Sequence, residues 1–239
     1  MCWSVSDIMR AQDIEEMQAL PYFQGIGYEI SETILRASFL QRFPQHVDLI
    51  TEGQPADFLH VIIEGQVEMF SAHKDRETTV SILKANDCFI VAAVLLDRIY
   101  LQSARVLSPS RILLIPAELV RHYSQADLGF CLALNREMAR AYRNLVRELK
   151  NQKLRSALVR LANWLLVRHK ESGGQGQFEL PFDKQTLASQ LGLAPAVLSR
   201  SFAALIPYHV TVTGAKIEIS DLAALEQLAH PQTTIDDLE

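Results

Sequence analysis

Cysteine is scarce in this chain and poorly placed for metal chemistry. The three cysteines, Cys2, Cys88 and Cys131, lie too far apart for a zinc or iron–sulfur ligand pattern. A reducing cytoplasm is then the default compartment. Long apolar runs are also missing. The longest uninterrupted one, Cys88 to Leu96, is far short of the roughly 20 residues a membrane-spanning helix needs, so no membrane contact is expected. Asp7, Arg10, Asp13, Glu15 and Glu16 interrupt the N-terminal stretch where a secretory signal would need an apolar core. Basic residues are not in excess either: the formal net charge is −5, which gives no whole-chain signal for nucleic acid. Paired catalytic carboxylates, a nucleophile elbow and metal-ligand spacings are all lacking, and no enzymatic activity is expected. Gly173, Gly174 and Gly176 lack the preceding strand and following lysine of a phosphate loop and read as a flexible connection.

What is present is most legible between residues 183 and 205, DKQTLASQLGLAPAVLSRSFAAL. Asp183 suits an N-cap, its carboxylate accepting from the free N–H groups of a first turn. Leu187 and Leu191 share one helix face, with the small Ala188 beside them. Gly192 suits the left-handed residue that ends a helix. Pro195 suits the first position of a second helix, where no N–H is needed. Leu198, Phe202 and Leu205 form the buried stripe of that helix and leave Ser199 and Arg200 outward. An outward arginine there is placed to reach a base edge. Val210, Val212, Ile217 and Ile219 alternate around Gly214, a short hairpin in the position of a wing. The residues expected at DNA are Lys184, Gln185, Ala194, Pro195, Ala196, Ser199, Arg200 and Lys216. Charge is distributed accordingly. Eight Lys and Arg face three acids between 151 and 216, whereas residues from Glu218 onward carry six acids and no Lys or Arg.

Upstream the pattern changes. Helices are predicted over 7–20 and 29–38. Short strands follow at 47–51, 58–63, 66–70, 78–83 and 111–115, with turns at 52–57, Gly65, 73–77 and Asn86-Asp87. This spacing indicates an antiparallel roll or sandwich. A helix over 117–123 leads into a long one over about 126–152, in which Cys131, Leu134, Met138, Tyr142, Leu145 and Leu149 step by three and four. That seam is close to the 3.5-residue repeat of a coiled coil and predicts pairing with a second copy. Asn151-Gln152-Lys153 is the expected hinge.

The stretch GQPADFLHVIIEGQVEMF, the segment Arg111 to Pro116, the long helix and residues 183–219 in this order resemble the CRP/FNR family of bacterial transcription regulators. The resemblance implies an α+β chain in four parts. These are an effector-sensing, cyclic-nucleotide-binding-like β-roll (1–124), a dimerisation helix (125–152), a winged helix-turn-helix (153–230) and an acidic tail (231–239). It also implies a homodimer on a pseudo-palindromic double-stranded operator, with RNA polymerase as a further partner. Departures from the family pattern shape the rest. Ile90 and Val91 stand where cyclic-AMP-binding members have Gly and Glu, and Tyr100 is read at the place of their arginine. A buried phosphate would lose its charge-assisted pairing there. Cyclic AMP is therefore not expected, nor is an iron–sulfur cluster, since the cysteine cluster of such members is absent. An apolar effector, a haem edge or plain core suits the segment CFIVAAVLL. Ile90, Val91, Tyr100, Ser103, Asn135, Met138 and Tyr142 are the expected effector pocket. A haem-based sensor of the same family, or a module that binds cyclic nucleotide without DNA, are the alternatives. Ala194-Pro195-Ala196 replaces the family's Ser/Thr-Arg-Glu, so the half-site should differ at the bases those residues read.

Overall fold

Two short helices lead into the sheet. In the computed structural model, which describes residues 9–20, 22–74 and 76–236, these are α1 (Ala11–Gln18) and α2 (Tyr28–Arg36). The chain forms two compact units, one running to Ala141 and one from Tyr142. α1 buries Ile14 and Met17, as its spacing predicts; Cys2, Asp7, Ile8 and Pro21 lie outside the described residues. Arg111 ties α1 to the sheet through Asp13 at 3.0 Å and Glu16 at 2.8 Å.

The first unit is built on a six-stranded antiparallel sheet of β1 (Phe39–Phe43), β2 (Asp48–Ile50), β3 (Phe58–His73), β4 (Arg76–Lys84), β5 (Cys88–Phe89) and β6 (Ser103–Pro116). The main path runs β1-β6-β3-β4, with β2 against β6 and β5 against β3. Sequence alternation divides β3 into two strands at Gly65, but the structure makes it one. Gly65 adopts φ +93° at a register shift against β6, a bulge rather than a reversal. A Cβ there would lie 2.2 Å from the Ser110 hydroxyl and 2.6 Å from the Pro109 carbonyl, so only glycine fits. The same bulge carries β6 past Ser108-Pro109-Ser110, which reads as a breaker, so β6 extends well beyond the predicted 111–115. β1 is too short and too evenly half-buried to alternate, and the sequence pattern misses it. Also missed is α3 (Val91–Leu96), a short helix inside the apolar run. Ile62, Val67, Ile112, Leu113 and Val94, all fully buried, centre the core, which α4 (Ala117–Ala126) and the start of α5 (Leu128–Leu154) cover.

α5 does not stop at the expected hinge. It runs through Asn151, Gln152 and Lys153 to Leu154, and the link to α6 (Ala157–Glu171) is Arg155-Ser156. Ser156 caps α6 by accepting from the Val159 N–H. The Arg160 guanidinium donates to the carbonyls of Gln152 at 3.0 Å and Arg155 at 3.1 Å, taking up acceptors that a helix end leaves free. The second unit continues with β7 (Gln177–Glu179), α7 (Lys184–Gln190), α8 (Pro195–Ala204), β8 (Val210–Thr213), β9 (Lys216–Ile219), α9 (Leu222–Ala229) and α10 (Thr233–Asp236). Its core joins Leu161, Leu165, Leu187, Leu198, Leu205, Val210 and Leu225. α10 lies on the α5–α6 link. Arg155 makes a two-pronged ion pair with Asp236, the side chains only 7% and 12% exposed, Lys150 donates to the Thr234 carbonyl, and Ile235 is buried. Among the described residues no helix is long and apolar enough to cross a membrane.

Candidate nucleic-acid interface and sensor cassette

The helix-turn-helix closes as its sequence dictates. The Asp183 carboxylate accepts from the Thr186 N–H at 2.8 Å and caps α7. Gly192 takes φ +63°, and the Leu193 N–H donates to the Ala188 carbonyl at 2.8 Å to turn the chain. Pro195 opens α8, which buries Leu198, Ser201 and Phe202. Ala194, Pro195, Ala196, Ser199 and Arg200 are exposed together on its other side. Lys184 and Gln185 are exposed at the start of α7, the Lys184 ammonium 5.7 Å from the Phe202 ring centre. Lys216 is exposed on β9, next to the hairpin turn at Gly214. β7 adds a third strand to the wing through Phe178↔Ile217, which three residues after a glycine-rich loop do not announce.

In the first unit, β5, α3 and the start of β6 form a cassette against the sheet. Ile90 adopts φ +71°, ψ 12°, a left-handed conformation that a β-branched residue takes only under strain. Val91, Val94 and Tyr100 are buried in the core. The Tyr100 backbone pairs with the preceding turn, its N–H to the Gln54 carbonyl and its carbonyl from the Gly53 N–H, both at 2.8 Å. The Ser103 hydroxyl accepts from the Glu52 N–H at 3.0 Å. Asn135, Met138 and Tyr142 are exposed on α5 and lie off its buried face, which is Phe130, Ala133, Leu134 and Glu137. The expected pocket is therefore divided: its β-roll half is buried at Val91 and Tyr100 and half-buried at Ile90 and Ser103, and its helix half is turned to solvent.

A polar cluster that the sequence reading misses lies between the cassette and that buried face. The Tyr22 hydroxyl donates to the Asn86 carbonyl. Glu137 accepts from Arg140 at 2.7 Å, and burial raises its carboxyl pKa against the pull of that arginine. Burial also raises Asp87, and it pushes the Cys88 thiol well above its ordinary value, with Glu137 and Asp87 adding to the shift. Cys88 is accordingly a neutral thiol at physiological pH. His60 of β3 stacks on Phe89 of β5 with ring centres 4.9 Å apart, and its buried Nδ1 has no hydrogen-bond partner. Desolvation lowers its pKa to about 4.

Two family models match the chain. The cyclic nucleotide-binding domain matches residues 40–127, and the Crp-like helix-turn-helix domain matches residues 159–228. A solved Crp/Fnr-family transcriptional regulator from Eubacterium rectale shares this architecture at TM-score 0.74 and 18% identity, over 89% of this chain and 99% of that one. The chain belongs to the CRP/FNR family. A regulatory protein of known structure from Silicibacter pomeroyi matches at TM-score 0.60 and 24% identity, over 91% and 100%. CLP of Xanthomonas campestris, a c-di-GMP responsive global regulator, matches at 0.70 and 17%, over 81% and 99%. No curated protein sequence matches. At these identities the solved structures share a fold with this CRP/FNR member, and its ligand chemistry has to come from its own residues. There Ile90 keeps the left-handed backbone that its glycine counterpart would adopt freely. Tyr100, read at the place of the family's arginine, is buried in the core just ahead of β6.

Proposed function

We propose that this DNA-binding transcription regulator of the CRP/FNR family, with its effector-binding-type N-terminal domain, works as a cytoplasmic homodimer paired along α5, which sets two helix-turn-helices on a pseudo-palindromic operator, and that its effector is not a cyclic nucleotide. One observation supports the pairing. Leu128, Tyr142, Leu145 and Leu149 on α5 are 73%, 68%, 61% and 51% exposed, and Leu132, Met138 and Val146 add to the stripe. An apolar stripe of this length on a helix calls for a partner.

The effector reading rests on the cassette. A cyclic phosphate needs a cation and donors, and Ile90, Val91 and Tyr100 offer no charge where the family's phosphate and ribose contacts fall. A haem fits the residues present poorly. His60, buried in the first unit, is held flat against Phe89, and Cys88 is a half-buried neutral thiol. A small apolar effector, or a cassette that serves as plain core, suits them better. Calorimetric titration with cyclic AMP, cyclic GMP and cyclic di-GMP, with an absorption spectrum of the natively purified protein, tests this. No heat at micromolar ligand and no Soret band are expected. Micromolar binding with a matching gain in operator affinity would overturn the effector reading and leave the DNA-binding one standing.

A further inference from the structure

The outward stripe of α8 is Ala196, Ser199, Arg200 and Ala203, all exposed at helical spacing. Only Ser199 and Arg200 in it can hydrogen-bond a base edge. The turn ahead of them presents Ala194, Pro195 and Ala196, exposed residues whose side chains hold carbon and hydrogen alone. Pro195 has no N–H, and Ala194 gives no side-chain cap. In a helix-turn-helix it is the N-terminal residues of the second helix that meet base edges in the major groove. Adenine, guanine and cytosine are read in that groove by their hydrogen-bonding groups, whereas thymine adds a 5-methyl group. Apolar surface pressed against a polar edge strips its water and returns no hydrogen bond, a net cost. Against a methyl it is a favourable burial. Alanine, with nothing beyond Cβ, also lets the backbone come close enough to touch it.

We propose that Ala196 reads a thymine in each half-site through that 5-methyl group, with Arg200 reading a neighbouring base pair by hydrogen bonds. This rests on the helix-turn-helix being the DNA-binding element. The test enriches an operator from random duplexes with the full chain, then replaces each half-site thymine by deoxyuridine, which removes the methyl and nothing else. One position per half-site should weaken binding about fourfold per methyl lost, the equivalent of one buried carbon. Ala196→Gly should erase that sensitivity, and Arg200→Ala should keep it. Ala196→Glu should turn the preference at that position to cytosine, whose N4 amino group a carboxylate accepts from. Enrichment without a thymine there, deoxyuridine tolerated throughout, or sensitivity that survives Ala196→Gly would each overturn the proposal. Failure of the wild-type chain to enrich or bind any duplex would instead overturn the DNA-binding reading beneath it.

Discussion

His60 shows what a single residue can set. Enclosed in the sheet with an unpartnered Nδ1, it stays neutral while folded, its pKa held near 4 against an ordinary 6.5. The unfolded chain therefore takes up a proton first as the pH falls. The stability that His60 contributes is complete above pH 6.5 and drains away toward pH 4, by about 3 kcal/mol. Urea unfolding of the wild type and of His60→Leu between pH 7 and pH 4.5 should show a steep loss in the first and a shallower one in the second; parallel profiles would remove His60 as the cause. Arg200 belongs to the same scale. Arg200→Ala should cost about 1–3 kcal/mol at one base pair per half-site and little on random duplex. Competition binding measures both, and an equal loss on both DNAs would make it a phosphate contact. The exposed residues of α8 were legible from apolar spacing because the stripe that buries Leu198 and Phe202 fixes what faces out. His60 and Glu137 were not legible. A buried titratable group looks like any other until its neighbours from distant strands and helices are known.

At the scale of elements, α5 divides its apolar residues between two faces that overlap in sequence. The 3.5-residue seam runs through Leu134, yet Leu134 joins Phe130 and Ala133 in the core of its own unit, and the exposed stripe is Leu128, Leu132, Met138, Tyr142, Leu145 and Leu149. Two interleaved stripes blur into one when read by spacing alone. Leu145→Glu should leave folding intact, because the residue is exposed, and should shift sedimentation at micromolar concentration from dimer to monomer. A dimer that persisted would detach α5 from assembly. Strands proved less readable than helices for a related reason. β3 and β6 pass through a bulge that needs Gly65 and lies beside Pro109, the same residues that mark a turn when no partner strand is in view.

For the molecule as a whole, the pairing sets a spacing. Two recognition helices on a symmetric dimer should meet half-sites about one helical turn apart, 10–10.5 base pairs centre to centre. Inserting five base pairs at the operator centre turns one half-site to the opposite face of the duplex, and affinity should fall toward the random-DNA level. An insertion that left affinity unchanged would mean that one copy binds alone. The ion pair between Arg155 and Asp236 has a consequence on the same scale. It joins residues 81 apart in the chain, and both side chains are largely buried. Asp236→Ala would strand a buried guanidinium at a cost of about 3–5 kcal/mol. Hydrogen exchange should report it as faster opening at residues 150–156, with the amides of 40–127 unmoved. The last turn of α5 thus holds its shape on loan from a segment made at the other end of its unit, and during synthesis it has no clasp until that segment has left the ribosome.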